Sequence, residues 1–202
     1  MSQDIKKGQV TRQRIVQKAA ELFNRKGYEG TAFSDLMQAT GLKKGGIFRH
    51  FASKEELAGE AFDYAWKTAV KVRLTEVAEC SNAIDQIKLM VRNFVEKREG
   101  LVPGGCPLLN TAIDADDGNA ILRRKVRKAM KQWLDRIGAI TKQGMEKAEI
   151  KADVDPEKLA TLIVGTLEGA LMIGRLQQTY EPVMNAREHL DEYLEQLRTT
   201  NA

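Results

Sequence analysis

Two stretches of this chain carry side chains whose types and spacing can do chemistry. The first reads Gly-Leu-Lys-Lys-Gly-Gly-Ile-Phe-Arg-His-Phe-Ala-Ser-Lys-Glu-Glu-Leu from residue 41 to residue 57. It places Lys43, Lys44, Arg49 and His50 together with no carboxylate among them, the charge expected of a surface that faces phosphate. The second is Cys106, which stands directly before Pro107, and proline is favoured at the first position of a helix. Cys106 therefore falls at or near an N-cap, where backbone N–H groups and the positive end of the helix dipole favour the thiolate that attacks oxidants and electrophiles. The alternative is an inert thiol packed as a small hydrophobe.

Other chemistry finds little support. With His50 and His189 as the two histidines and Cys80 and Cys106 as the two cysteines, there is no metal-ligand cluster and no disulfide framework. A thiol enzyme using Cys106 would need a base, and neither histidine has a context that sets it beside that cysteine. The chain reads as a non-enzyme without cofactors, and Cys80 as a bystander.

The elements that position the basic cluster can be read outward from it. Residues 33 to 40, Phe-Ser-Asp-Leu-Met-Gln-Ala-Thr, alternate with helical spacing, and Gly41 can take the positive φ that ends a helix. A second helix over residues 43 to 51 follows, giving a helix-turn-helix at about 32–51. Ser53 and Glu56 form an S-x-x-E capping box that starts the next helix. Upstream, Ile15, Ala19, Leu22 and Phe23 share one helical face and Gly27 closes that helix. Lys43, Gly46, Arg49 and His50 are expected nearest base edges, with Gly45 between them, and Thr31, Lys44, Phe48 and Lys54 nearer the DNA backbone.

The charge is segregated. Residues 1 to 54 hold eleven Lys or Arg against four Asp or Glu, and residues 55 to 202 hold twenty-one against twenty-four. A localised phosphate-binding face fits this better than a uniformly basic coat. The chain divides into a DNA-binding head at 1–52 and a helical sensing and dimerisation body at 53–202. The most apolar segment, residues 159 to 174, is interrupted by Thr161, Thr166 and Glu168, so a soluble, cytoplasmic protein with no membrane partner is expected.

From Ser53 onward helix follows helix, with breaks at 81–82, 100–107, 116–118, 153–156 and 180–182, and the fold class is all-α. Asp155-Pro156 pairs an N-cap residue with a proline at the first helical position. The long helix launched there is apolar nearly all round, so one side needs a partner. Leu162, Gly165, Leu167 and Gly169 from this helix, with Leu190 and Leu194 from the last, are read as a four-helix homodimer interface, the alternative being that both helices complete the core of a monomer. Phe62, Trp66, Met90, Phe94, Trp133 and Ile137 line a small-molecule pocket or simply fill the core. The run Arg123, Arg124, Lys125, Arg127, Lys128, Lys131 reads as a solvated face.

The head resembles the N-terminal domain of TetR-family transcriptional regulators, through Ala20-Glu21-Leu22-Phe23, Gly27-Tyr28, Thr31, Gly41-Leu42, Lys44-Gly45, Phe48, Phe51 and Ser53-Lys54-Glu55. Phe48 stands where the family generally has Tyr, and Gly46 where a small Thr, Ser or Ala is commoner. The resemblance implies a homodimeric repressor that binds a double-stranded operator with palindromic half-sites. Gly105-Cys106 before a short helix and Glu181-Pro182 after the long one resemble the NemR-type branch, which implies release by an electrophile or oxidant acting on Cys106. Arg175 is the candidate charge partner for its thiolate. A non-covalent effector in the body pocket is the alternative inducer.

Overall fold

The structure, a computed structural model, describes residues 2–97, 99–115 and 118–199. Among them nine α-helices follow one another: α1 (Ser2–Lys26), α2 (Phe33–Thr40), α3 (Lys44–Phe48), α4 (Lys54–Arg73), α5 (Ala83–Glu96), α6 (Pro107–Ala115), α7 (Ala120–Glu146), α8 (Pro156–Gln177) and α9 (Glu181–Gln196). A 3-10 turn at Val77–Glu79 and one isolated bridge between Ile150 and Arg198 accompany them. The all-α expectation holds. Of the expected break at 116–118, Asp116 and Asp117 lie outside the described residues.

Side-chain caps set several starts. Ser53 Oγ accepts the Glu56 N–H at 3.1 Å, and Glu56 Oε2 accepts the Ala52 N–H at 2.6 Å, so the expected box forms with its return bond one residue further back. Asn82 accepts from the Ile84 N–H at 2.9 Å and Asn119 from the Ile121 N–H at 2.9 Å. Asp155 accepts from the Glu157 and Lys158 N–H groups at 3.0 and 3.1 Å. Those backbone donors, the Lys158 N–H foremost, hold the Asp155 carboxyl below its ordinary range.

Contacts divide the chain into two units, residues 1–69 with 101–129 and residues 70–100 with 130–202, so α4 and α7 contribute to both. In the first unit Ile15, Ala19, Leu36, Ile47, Phe51, Leu57, Ala61 and Val102 form one buried cluster. Ile47 and Phe51 anchor the segment that carries the basic residues, and Arg12 braces it by stacking 4.6 Å over the Phe51 ring while pairing with Glu60.

In the second unit α5, α8 and α9 pack on one another. Ile84, Ile87, Leu159, Ile163, Leu167, Leu190 and Leu194 are buried there. By length and composition α8 passes for a membrane-crossing helix, yet it contributes three of those core side chains, Leu159, Ile163 and Leu167, to a protein interior. The C-terminal segment is clasped onto this unit: Arg198 donates to Asn82 Oδ1 at 2.9 Å and Asp85 Oδ1 at 2.7 Å and also pairs with Glu195. Arg198, with Lys88 at 3.2 Å, holds the Glu195 carboxyl down to about 2.

Candidate nucleic-acid interface and effector loop

Within the head, α2 and α3 are too short to stand alone. The α2 start is fixed by the Ala32 N–H donating to Asp35 Oδ2 at 3.0 Å, and Lys26 pairs with the other Asp35 oxygen at 3.0 Å. Lys26 and then the Ala32 N–H hold the Asp35 carboxyl below its ordinary range. Gly41 closes α2 in the left-handed region at φ 69°, its N–H on the Met37 carbonyl at 2.9 Å.

The helix expected over residues 43–51 is shorter: α3 covers Lys44–Phe48 with Lys43 as N-cap. Arg49 and His50 lie in the turn beyond, where the His50 N–H reaches back three residues to the Ile47 carbonyl at 2.9 Å. Gly45 and Gly46 lower helix propensity, so packing of Ile47 and Phe51 fixes this segment more than backbone preference does. Lys43, Lys44, Gly45, Phe48 and Arg49 are exposed and Gly46 and His50 half-buried, which puts the basic residues on the outer side of the anchor.

Aromatic rings organise the flank. Phe33 and Phe48 stack at 5.0 Å, and the Lys44 ammonium lies 5.2 and 5.7 Å over the two rings. Lys54 donates to the Tyr28 carbonyl at 2.6 Å and sits 4.3 Å over the Tyr28 ring. Thr31, expected beside phosphate, is fully buried instead. Its hydroxyl donates to the Gly27 carbonyl at 2.7 Å, which leaves it shaping the turn before α2.

Sequence reasoning missed a polar clamp in the same unit. Asn24, buried near the end of α1, donates from Nδ2 to the carbonyls of Pro103 and Gly105 at 3.1 Å each and of Val102 at 3.3 Å. Asn110 of α6 donates to the Asn24 carbonyl at 2.9 Å, Asn24 Oδ1 at 3.0 Å and the Gly104 carbonyl at 2.9 Å. Asp114 accepts the Tyr28 N–H at 2.6 Å. A side chain at Gly104, with φ 121°, would come within 2.6 Å of the Asn24 carbonyl oxygen. Two asparagines and an aspartate scattered over ninety positions give no pattern before folding. The loop they hold ends in Cys106, which is 3% exposed and whose carbonyl accepts the Asn110 N–H at 3.0 Å.

Residues 15–61 match the model for bacterial regulatory proteins of the tetR family, and residues 83–190 match the tetracyclin repressor-like C-terminal domain. The chain belongs to the TetR family of transcriptional regulators. A TetR transcriptional regulator from Chloroflexus aurantiacus J-10-FL is 45% identical, with a TM-score of 0.90 over 96% of this chain and 98% of that one. The HTH-type transcriptional repressor DhaR of Mycobacterium sp. (strain GP1) is 23% identical, covering 85% of this chain and 86% of its own length. Reduced NemR from E. coli, 20% identical with a TM-score of 0.78 over 95% of this chain and 99% of that one, shares the fold. The family is one of DNA-binding regulators and not of enzymes.

The remaining expected residues separate by unit. Phe62 and Trp66 are buried in the first unit, where a cavity of about 20 Å³ lined by Phe23, Tyr28, Phe62 and Asn110 holds no more than a water. Met90, Trp133 and Ile137 are buried in the second and Phe94 partly so, with the Arg73 guanidinium 4.4 Å over the Phe94 ring and 5.8 Å over Trp133. Arg175 is exposed in the last turn of α8, where its charge faces the negative end of the helix dipole.

Of the expected dimer residues, Leu162 is 46% exposed and side chains added at Gly165 and Gly169 would meet nothing. Leu167, Leu190 and Leu194 are buried within their own subunit. An apolar stripe cannot tell which neighbour covers it; the helix phase puts these three on the side of α5 and each other. Met172, Ile173, Leu176 and Tyr180, by contrast, are exposed.

Proposed function

We propose that this chain is a dimeric transcriptional repressor that works in the cytoplasm, with residues 1–52 reading an operator and residues 53–202 dimerising and sensing. The observation that carries the reading is the basic, carboxylate-free outer face of α3 and the turn after it, on a segment anchored by Ile47 and Phe51. Lys43, Gly46, Arg49 and His50 approach base edges in the major groove, and Lys44, Gly45, Phe48 and Lys54 lie against the backbone. The dimer face is the exposed stripe of α8, with Leu162, Met172, Ile173 and Leu176 around Gly165 and Gly169. Two copies then present two heads to palindromic half-sites. Anisotropy titration against a selected palindromic duplex and a scrambled one tests this: strong preference for the former is expected, and equal binding overturns it.

Release by a reactive electrophile or oxidant at Cys106 is the induction step we favour, and the support is the position of that cysteine at the end of the clamped loop. Hypochlorous acid transfers chlorine to the thiolate with loss of hydroxide, and water then displaces chloride to leave a sulfenic acid. A thiol only 3% exposed reacts when the loop opens, and the added oxygen then has to be housed at a position closed to solvent. The clamp on Asn24 then fails and the head shifts. DNA release on oxidation is expected for wild type and Cys80→Ser and retention for Cys106→Ser, with reductant restoring binding. Release of all three alike, or of none, removes the redox reading in favour of a non-covalent effector.

A further inference from the structure

Helix α7 has no Asp or Glu before Asp135, while six cations fall between Arg123 and Lys131. Their surroundings divide them. Lys125 pairs with Asp63 of α4, Lys131 meets Asp135 at 2.8 Å, and Arg123 is half-buried. Arg124, Arg127 and Lys128 are exposed, and among the described residues none of these three is in an ion pair. They stand at i, i+3 and i+4, spacings at which like charges repel and weaken a helix. Among the described residues no carboxylate lies within 4.0 Å of these three to offset that repulsion. A polyanion laid along this face would.

The stripe belongs to the unit that holds the reading segment. That unit carries seventeen Lys or Arg against eleven Asp or Glu, and the other fifteen against seventeen. The α7 start is tied to the start of α4, since Asn119 donates to Glu55 Oε1 at 3.0 Å, one residue after Lys54. From there α4 and α7 run on in the same direction, Asp63 meeting Lys125, and Lys67 is exposed one turn beyond Asp63. Between Arg124 and Lys128 the helix rises about 6 Å, and duplex DNA presents a negative charge about every 1.7 Å of its axis. Three cations on that span match such a charge density.

We propose that Arg124, Arg127 and Lys128 form a second, sequence-independent contact with duplex DNA, gripping phosphates outside the operator core that α3 reads. The contact rests on the operator-binding reading above. It lengthens the footprint and adds affinity without adding sequence preference.

The test uses a duplex enriched by wild-type protein from a random library, taken as the bound core alone and as the same core with about 10 bp, one helical turn, added at each end. Wild type is expected to bind the longer duplex about tenfold tighter. The Arg124→Gln/Arg127→Gln/Lys128→Gln variant should bind the core like wild type and lose the gain from length. Its log affinity against log salt on the longer duplex should flatten by roughly two to three units. Circular dichroism should show helix content retained, because the substitutions remove repulsion. The same gain from length in both proteins overturns the contact. So does loss of binding to labelled polyglutamate with both DNA titrations unchanged, which assigns the stripe to an acidic protein. Failure of wild type to enrich any duplex sinks the operator reading and this contact with it; a wild type that binds the core but gains nothing from length overturns the contact alone.

Discussion

The α3 segment and helix α8 are both unfinished surfaces, and they are unfinished in opposite ways. The first is five residues of helix whose inner side is fixed by Ile47 and Phe51 and whose outer side is all charge, glycine and one aromatic ring. The second is twenty-two residues whose inner side packs on α5 and α9 and whose outer side leaves Leu162, Met172, Ile173 and Leu176 exposed. Charge left over without counter-charge suits a polyanion; apolar area left over around open glycines suits an apolar partner of the same shape. The first kind of contact weakens steeply with salt and the second does not.

The largest effects should come from putting a charge on either side of α8 and its neighbour. Leu194→Glu buries a carboxylate inside the subunit and should cost several kcal/mol, enough to unfold it; loss of the helical circular dichroism signal checks this. Leu162→Glu should leave the fold intact and yield monomers in sedimentation. A folded Leu194→Glu dimer, or an unaltered Leu162→Glu dimer, would break the distinction between the two sides.

Next in size, Arg49→Ala should weaken the cognate duplex by about 1 to 3 kcal/mol and relax one position, while Lys54→Ala weakens all sequences and lowers the salt slope by roughly one unit. Competition titrations over a salt series separate them. Asn24→Ala strands the carbonyls of Val102, Pro103 and Gly105 and should cost about 1 to 3 kcal/mol of stability, read in denaturant melts, with a matching change in oxidation rate at Cys106.

The smallest effect belongs to the C-terminal clasp. The Glu195 carboxyl is lowered to about 2 by Arg198 and Lys88, so its contribution is present above the ordinary glutamate range and lost as pH falls from there towards about 2. Glu195 is half exposed and Arg198 about a quarter so, and solvent discounts the gain. Arg198→Ala should flatten this part of the acid melting curve, and an unchanged curve would place the clasp's worth elsewhere.

The sequence made the helices legible because each has local punctuation: Gly41 for the end of α2, Ser53 and Glu56 for the start of α4, Asp155-Pro156 for α8. Lys43, Lys44 and Arg49 lie exposed on the head, as a basic run with no carboxylate among its members suggests. Three things were not legible for one physical reason, that each depends on a neighbour distant in sequence. Thr31 looks equally suited to a phosphate and to the Gly27 carbonyl. Leu167 and Leu190 have the same apolar character as Leu162, and only packing tells their sides apart. Asn24 and Asn110 carry no local signal, since an amide in a helix acquires meaning from the carbonyls brought to it.

That clamp is assembled from carboxamides and peptide carbonyls, with Asp114 as its lone acid. Amides neither gain nor lose protons in living cells, so the bonds that Asn24 and Asn110 make to the loop and to each other do not themselves titrate. A cell whose interior sours would leave those amide bonds to the loop as they were, so under the proposed redox reading the signal that reaches α1 through them is covalent change at the loop.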